Sequence, residues 1–142
     1  PQDAVFKGRR YFRDPYPHRW VIRDGRGMIV AHVGVHEKQV EVEGRVYRVG
    51  GVAEVCVHPD CRGRGYVRLM LGHVHDWLAG HGFVFAVLFG DTLVYGSSGY
   101  IQVANLSIGG VEAGWEQTAG MIKELSKTPW PSGKVLMAGP EF

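Results

Sequence analysis

Val55-Cys56-Val57-His58-Pro59-Asp60-Cys61-Arg62-Gly63-Arg64-Gly65-Tyr66-Val67-Arg68-Leu69-Met70 is the stretch from which the fold is read. An apolar run leads in, Pro59 and two closely spaced glycines interrupt it, and the period then changes. From Arg64 to Leu78 the apolar residues Tyr66, Val67, Met70, Leu71, Val74, Trp77 and Leu78 recur at the spacing of a helix with one buried face. Gly80 and Gly82 suit its end. A strand, a Gly/Arg loop and an amphipathic helix therefore follow one another. The first turn of a helix leaves its N–H groups unpaired and carries a partial positive charge. Gly63 and Gly65 allow close approach of backbone to a ligand, and Arg62, Arg64 and Arg68 add charge. The arrangement suits a phosphate or pyrophosphate.

Two common phosphate loops do not fit. A nucleotide-hydrolysing loop needs Gly-Lys-Ser/Thr, and here Gly65 is followed by Tyr66-Val67. The dinucleotide fingerprint needs a third glycine, and Arg68 stands in its place. An arginine-rich, solvated helix start with no ligand is the alternative.

Upstream, Trp20-Val21-Ile22 is read as a strand, Asp24-Gly25-Arg26-Gly27 as a hairpin turn, and Met28 to His36 as a second strand. Val40 to Glu43 continues it past a bend at Glu37-Lys38. Glu43-Gly44 then turns the chain into Arg45–Val49, and a further strand runs from Gly51 to His58. Residues 1–17 are polar and basic, with a remnant helix around Ala4–Phe12 before the Pro15-Tyr16-Pro17 break. Downstream, Phe83 to Phe89 has no polar alternation, as in a strand buried on both faces. A short helix over Thr92–Ser98, a strand over Tyr100–Val103 and a closing strand over Lys134–Ala138 follow. Residues 105–120 are glycine-rich and ambiguous, and Met121 to Leu125 is too short to classify. The order makes a mixed α/β or α+β layer fold.

Composition narrows the classes. The 142 residues suit one domain, with 45% hydrophobic and 21% charged residues. The longest apolar run is far short of the roughly 20 residues a membrane helix needs. No leader pattern is visible, and a chain opening on Pro1 reads as processed or a fragment. A net charge of +2 does not argue for nucleic acid. Cys56 and Cys61 form neither a zinc pattern nor a disulfide framework, so free thiols and a reducing, cytoplasmic setting are expected. His73 and His75 face apart on the helix, which argues against a metal.

The loop resembles motif A of the GNAT superfamily of acyl-CoA-dependent N-acyltransferases, whose pattern is Gln/Arg-x-x-Gly-x-Gly/Ala. Arg62-Gly63-Arg64-Gly65-Tyr66-Val67 matches its first four places and has Val67 at the last. Val94-Tyr95-Gly96-Ser97-Ser98-Gly99-Tyr100 resembles the family's Phe-Tyr-x-x-x-Gly-Phe/Tyr stretch, although Leu88 and Asp91 replace the asparagine and alanine that often precede it. The resemblance covers about Trp20 to Tyr100. It implies the GNAT fold: a mixed, mostly antiparallel central sheet flanked by helices, splayed at the acyl-CoA strands. It also implies one domain over residues 1–142, with part of the N-terminal strand and helices missing.

The resemblance further implies that acetyl-CoA, or another acyl-CoA, is the co-substrate and that no metal is needed. Arg62, Gly63, Arg64, Gly65, Tyr66, Val67 and Arg68 would cradle the pyrophosphate. Val55, Cys56 and Val57 would hold the pantetheine arm through their backbone, an N–H near Val57 meeting the oxyanion. Transfer to a primary amine by direct attack in a ternary complex needs a base and an acid. Glu54 interrupts an apolar strand, which favours a raised pKa, and its place matches the family's base. Pairing with Arg45 or Arg48 is its other reading. Tyr95 matches the family's general acid to the leaving thiolate, or serves packing alone. Alternation puts Glu54, Cys56 and His58 on one face and Ala53, Val55 and Val57 on the other, and Cys56 reads as a buried small hydrophobe. His32 and His36 read as structural or substrate-side residues.

Within the superfamily, the meander and the closing Lys127–Leu136 segment are similar to the aminoglycoside 2′-N-acetyltransferases and the nodulation-type acyltransferases. That implies a small amine acceptor, aminoglycoside-like, and a homodimer. The substrate-side segment offers Glu112, Glu116 and Glu124. The rival readings are a non-catalytic acyl-CoA-binding sensor or assembly subunit, and a basic module that binds anions without coenzyme A.

Overall fold

The computed structural model describes residues 15–142, so the helix expected around Ala4–Phe12 lies outside the described residues. Strand β1, His18–Arg23, turns through Asp24–Gly27 into β2, Ile29–Val42. The Asp24 carboxylate caps that turn, accepting from the N–H groups of Arg26 at 2.8 Å and Met28 at 3.0 Å. No bend interrupts β2 at Glu37-Lys38, because β3 pairs with it through that point in unbroken register. A tight turn at Glu43-Gly44, both with positive φ, leads into β3.

Strand β3 is one element, Arg45–Val57, where two were expected. Gly50-Gly51 reads as a break and is instead a place of close approach. A Cβ on Gly50 would meet Leu78 of the helix, and one on Gly51 would meet the ring of Phe142 from the opposite side. Helix α1 spans Tyr66–Gly80 and lays Met70, Leu71, Val74 and Leu78 on the sheet, as its apolar stripe requires. Strand β4, Phe85–Leu88, is wholly buried. Helix α2, Thr92–Tyr95, is capped by Asp91, whose carboxylate accepts from the Leu93 N–H at 2.8 Å, and a 3₁₀ turn over Gly96–Ser98 continues it. Residues 105–120 belong to a long hairpin of β5, Ile101–Gly110, and β6, Gly114–Glu124, and β7 is Val135–Ala138.

The sheet order is β1-β2-β3-β4-β6-β5-β7, and β7 also pairs back onto β2, opposite Val40 and Glu41. Strands β3–β4 and β5–β7 are parallel, and the other pairs are antiparallel. The mixed, mostly antiparallel sheet is therefore present, but it does not lie open between helices. Six of its strands close into a barrel-like ring, and among the described residues only α1 forms a long covering helix.

Two cores result. One lies between α1 and the sheet and includes Val33, Val35, Val52, Leu71 and Leu88; the other fills the ring with Val40, Val49, Phe85, Leu106, Ile122 and Met137. The β6–β7 connection is tied to the ring by Asn105. Its side-chain amide donates to the carbonyls of Pro131 and Gly133 and accepts from the Trp130 indole at 2.9 Å. Wherever a chain segment crosses this fold without strand partners, a side chain of that kind is needed to satisfy its buried polar groups.

Candidate active site

Strands β3 and β4 are hydrogen-bonded only from Val49–Gly51 to Phe85–Val87. Beyond that point β3 continues to Val57, whereas β4 ends at Leu88. The edge of β3 that faces β4 is thus unpaired over Val52–Val57, while its other edge stays zipped to β2. The His58 N–H donates to the Val30 carbonyl at 2.8 Å. Strand alternation then directs the N–H of Val57 the other way, into the gap. An extended chain with its own amides can lie along such an edge as an added strand does.

The loop at the end of β3 opens onto that gap. A 3₁₀ turn, Pro59–Cys61, reverses the chain, and Gly63 and Gly65 follow with φ of 73° and 75°. Only glycine takes these angles without strain. A Cβ at either would meet nothing within 4 Å, so no side chain among the described residues crowds these two positions. The first helical bond to reach outside α1 runs from the Leu69 N–H to the Gly65 carbonyl at 3.0 Å. The N–H groups of Gly63, Arg64, Gly65, Tyr66, Val67 and Arg68 find no acceptor among the described residues. Arg62, Arg64 and Arg68 are exposed, and no carboxylate pairs with them among the described residues. Six free amides, a helix N-terminus and three cations together fit a diphosphate.

Glu54 sits at a β-bulge. His32 pairs with Cys56 and Gly34 with Ala53, so Glu54 and Val55 together oppose Val33. Glu54 has φ 47°, left-handed for a residue with a side chain. The extra residue resets the alternation: Val52, Val55 and Val57 all pack on the α1 side, which an unbroken period of two forbids. It also turns Glu54 outward. The carboxylate is exposed, so the apolar surroundings expected of it are absent. Neither arginine proposed as its partner takes it. Arg48 instead contacts Glu37 at 3.8 Å, donates to the His81 carbonyl at 2.8 Å and lies over the Phe83 ring.

Tyr95 closes α2 with its ring against Gly90, where a Cβ would collide with it, just past the end of β4. It is half-buried, and that burial raises its pKa, so the hydroxyl keeps its proton at any ordinary pH. Its ring meets Tyr100 edge-on at 6.2 Å. Cys56 corrects its expectation: it is exposed rather than buried among apolar groups. Its thiol pKa is nevertheless raised, by partial desolvation and then by the Glu54 charge, which disfavours a thiolate nucleophile. Cys61 is a free, partly exposed thiol. No cluster of metal-ligating side chains occurs among the described residues.

Three features escaped the sequence reading. His75 is buried against the Tyr100 hydroxyl at 2.8 Å, although the helix stripe placed it outside the core. Phe142 seats its ring on Gly51 beneath the point where β3 and β4 part, touching Phe89 at 5.2 Å between centroids. A cavity of about 1040 Å³ opens at the tip of the β5–β6 hairpin, with Trp115, Glu112, Glu116 and Glu141 in its wall. Glu141 accepts there from the Thr118 hydroxyl at 2.9 Å. Chain ends and hairpin tips meet by tertiary closure, which no local pattern announces.

Comparison with known proteins bears on this geometry. The acetyltransferase (GNAT) domain family matches residues 2–103. No curated protein matches. Among solved structures, the GNAT family N-acetyltransferase YhbS from Escherichia coli, in complex with CoA, superposes with a TM-score of 0.71 at 21% identity, over 89% of this chain and 68% of that one. A GNAT family acetyltransferase from Brucella melitensis in complex with acetyl-CoA gives 0.60 at 19% identity, over 94% and 70%. A GCN5-related N-acetyltransferase from Kribbella flavida gives 0.50 at 29% identity, over 52% of this chain and 19% of that one.

Proposed function

This chain belongs to the GNAT acetyltransferase family, and from that premise we propose that it transfers an acetyl group from acetyl-CoA to a primary amine by direct attack in a ternary complex. The observation that carries the reading is the coincidence of an open amide-lined loop at Gly63–Val67 with an unpaired strand edge at Val52–Val57. In this reading the loop and Arg62, Arg64 and Arg68 hold the diphosphate. The backbone of Val55, Cys56 and Val57 holds the pantetheine arm, and the Val57 N–H faces the developing oxyanion.

The co-substrate supplies an activated thioester. The residues of the chain supply position and proton traffic. Nitrogen attacks the carbonyl carbon, a C–N bond forms, and the C–S bond breaks as the tetrahedral centre collapses. The amine proton passes to a base, and the departing sulfur takes one from Tyr95, whose burial keeps it protonated for that step. Glu54 is the carboxylate at the bulge that can serve as base, directly or through water. The acidic wall of the hairpin cavity favours a cationic acceptor, polyamine- or aminoglycoside-like.

A turnover assay tests the reading. Release of thiol from acetyl-CoA is followed against aminoglycosides, polyamines and peptide N-termini. Wild-type turnover with at least one amine is expected. In Tyr95→Phe it falls by about 100-fold while coenzyme affinity, measured by calorimetry, is kept. Coenzyme binding with no turnover on any amine would mean a binding protein, and no coenzyme binding would remove the reading altogether.

A further inference from the structure

We propose that His32, rather than Glu54 alone, accepts the proton of the attacking amine; the inference rests on the acetyltransferase reading above and assigns its base. Register fixes where His32 stands. Ala31, Val33 and Val35 point into the core beneath α1, so His32, Gly34 and His36 occupy the opposite face of β2. His32 lies directly across from Cys56, on the part of β3 whose far edge is unpaired. Helix α1 closes one side of that split, so an acceptor approaches from the side that His32 occupies.

The bulge sets the protonation of the ring. His32 Nδ1 lies 3.0 Å from the carbonyl oxygen of Glu54. A carbonyl only accepts, so Nδ1 carries the hydrogen and donates it. In the neutral ring Nε2 is then bare, its lone pair available. That atom is shielded from solvent and has no hydrogen-bond partner among the described residues. Buried polar atoms are rarely left so, and an orphan acceptor beside an open strand edge marks a place for a donor from outside. An ammonium or amine N–H is such a donor.

The strain at Glu54 acquires a purpose on this view. Its left-handed φ of 47° turns its carbonyl toward the imidazole, which a regular strand would not do. The step balances simply. Nε2 takes one proton from the amine nitrogen, giving an imidazolium still held through Nδ1, while nitrogen and the carbonyl carbon form their bond. The imidazolium then returns its proton to solvent after thiol release, and Tyr95 regains from solvent the one it gave to the sulfur.

His32→Asn tests this, because its amide can still donate to the Glu54 carbonyl but accepts no proton. The titratable groups on the same face are Glu54, Cys56 and His58 of β3, His36 of β2 and Arg19 of β1, so a pH limb is ascribed to His32 only if this variant removes it. Wild-type kcat/KM should rise with pH through one limb. In H32N that limb should vanish and kcat fall about 100-fold, with coenzyme affinity unchanged. Nitrogen NMR of the imidazole gives a reading free of activity: the Nδ1–H tautomer is expected, and an Nε2–H tautomer overturns the proposal. Full turnover in H32N with loss in Glu54→Gln overturns it alone and leaves the acetyltransferase reading standing. Coenzyme binding without turnover in the wild type removes both.

Discussion

Leu78 of helix α1 rests on the backbone of Gly50, so closely that a Cβ there would fall 2.5 Å from its Cδ1 and 2.6 Å from its Cδ2. Gly50 is opposite Ala86 on β4, and both face the helix. The two smallest side chains thus make a seat for a fully buried leucine one step before the strands part. The contact sets how far α1, and with it the loop at its N-terminus, stands from the gap. Gly50→Ala should destabilise the fold by about 1–3 kcal/mol through overpacking, read by urea unfolding. Combining it with Leu78→Ala should cost less than the sum of the two changes, because truncating Leu78 removes the atoms that the new methyl would meet.

The amide-lined loop invites a second test. Gly65 has φ 75° and open space around it, so a glutamate there projects a carboxylate into the concavity without meeting protein. Gly65→Glu should weaken coenzyme A binding by roughly 10- to 100-fold in calorimetry, the loss expected of like-charge repulsion at a site built for anions. Gly65→Ala separates strain from charge. It carries about 1 kcal/mol of backbone strain but no charge, and should lower the melting temperature more than the affinity. Equal loss of affinity in both variants would point to a distorted helix start instead.

The bulge residue gives a prediction in which stability and activity diverge. Glu54 holds a left-handed φ of 47° while exposed, so its side chain contributes little packing in return for the strain. Strain of this kind is worth on the order of 1 kcal/mol at a single position. Glu54→Gly should therefore raise the unfolding midpoint slightly and lower acetyl transfer. Destabilisation by this change would show that the carboxylate is held by contacts that outweigh the strain.

These relationships mark where local sequence stopped being informative. The Gly63–Val67 loop was readable because glycine at positive φ and a helical apolar stripe are both properties of a few neighbouring residues. The long hairpin through residues 105–120 was not, because its glycines hide the alternation on which strand recognition depends. The bulge was invisible for a related reason. Val52-Ala53-Glu54-Val55 alternates no differently whether or not one residue is extra, and only pairing with His32 and Gly34 reveals it. Cys56 keeps the face that alternation gave it, opposite Val55 and Val57, but that face is left exposed there, which no local pattern announces. Closure of the ring depends on β7 meeting Val40 and Glu41, about three quarters of the described chain away. Long-range pairing of that kind leaves no mark on either partner.

His75 carries the last prediction. Its ring is buried beneath the α1 stripe, hydrogen-bonded to Tyr100, itself buried with a strongly raised pKa. Desolvation, and then the charge of Lys123, push the His75 pKa down to about 4, with Asp76 opposing more weakly. The unfolded chain binds this proton below pH ~6.5, whereas the folded chain holds off until about pH 4. Between those values the unfolded state carries more protons, so stability should fall as the pH is lowered through the window and should be level above it. The loss should be about 2 kcal/mol after allowing for partial screening. His75→Gln, which keeps a polar group near the Tyr100 hydroxyl but cannot titrate, should flatten the melting temperature between pH 4 and 6.5. An unchanged slope in that variant would place the acid sensitivity in the exposed carboxylates instead.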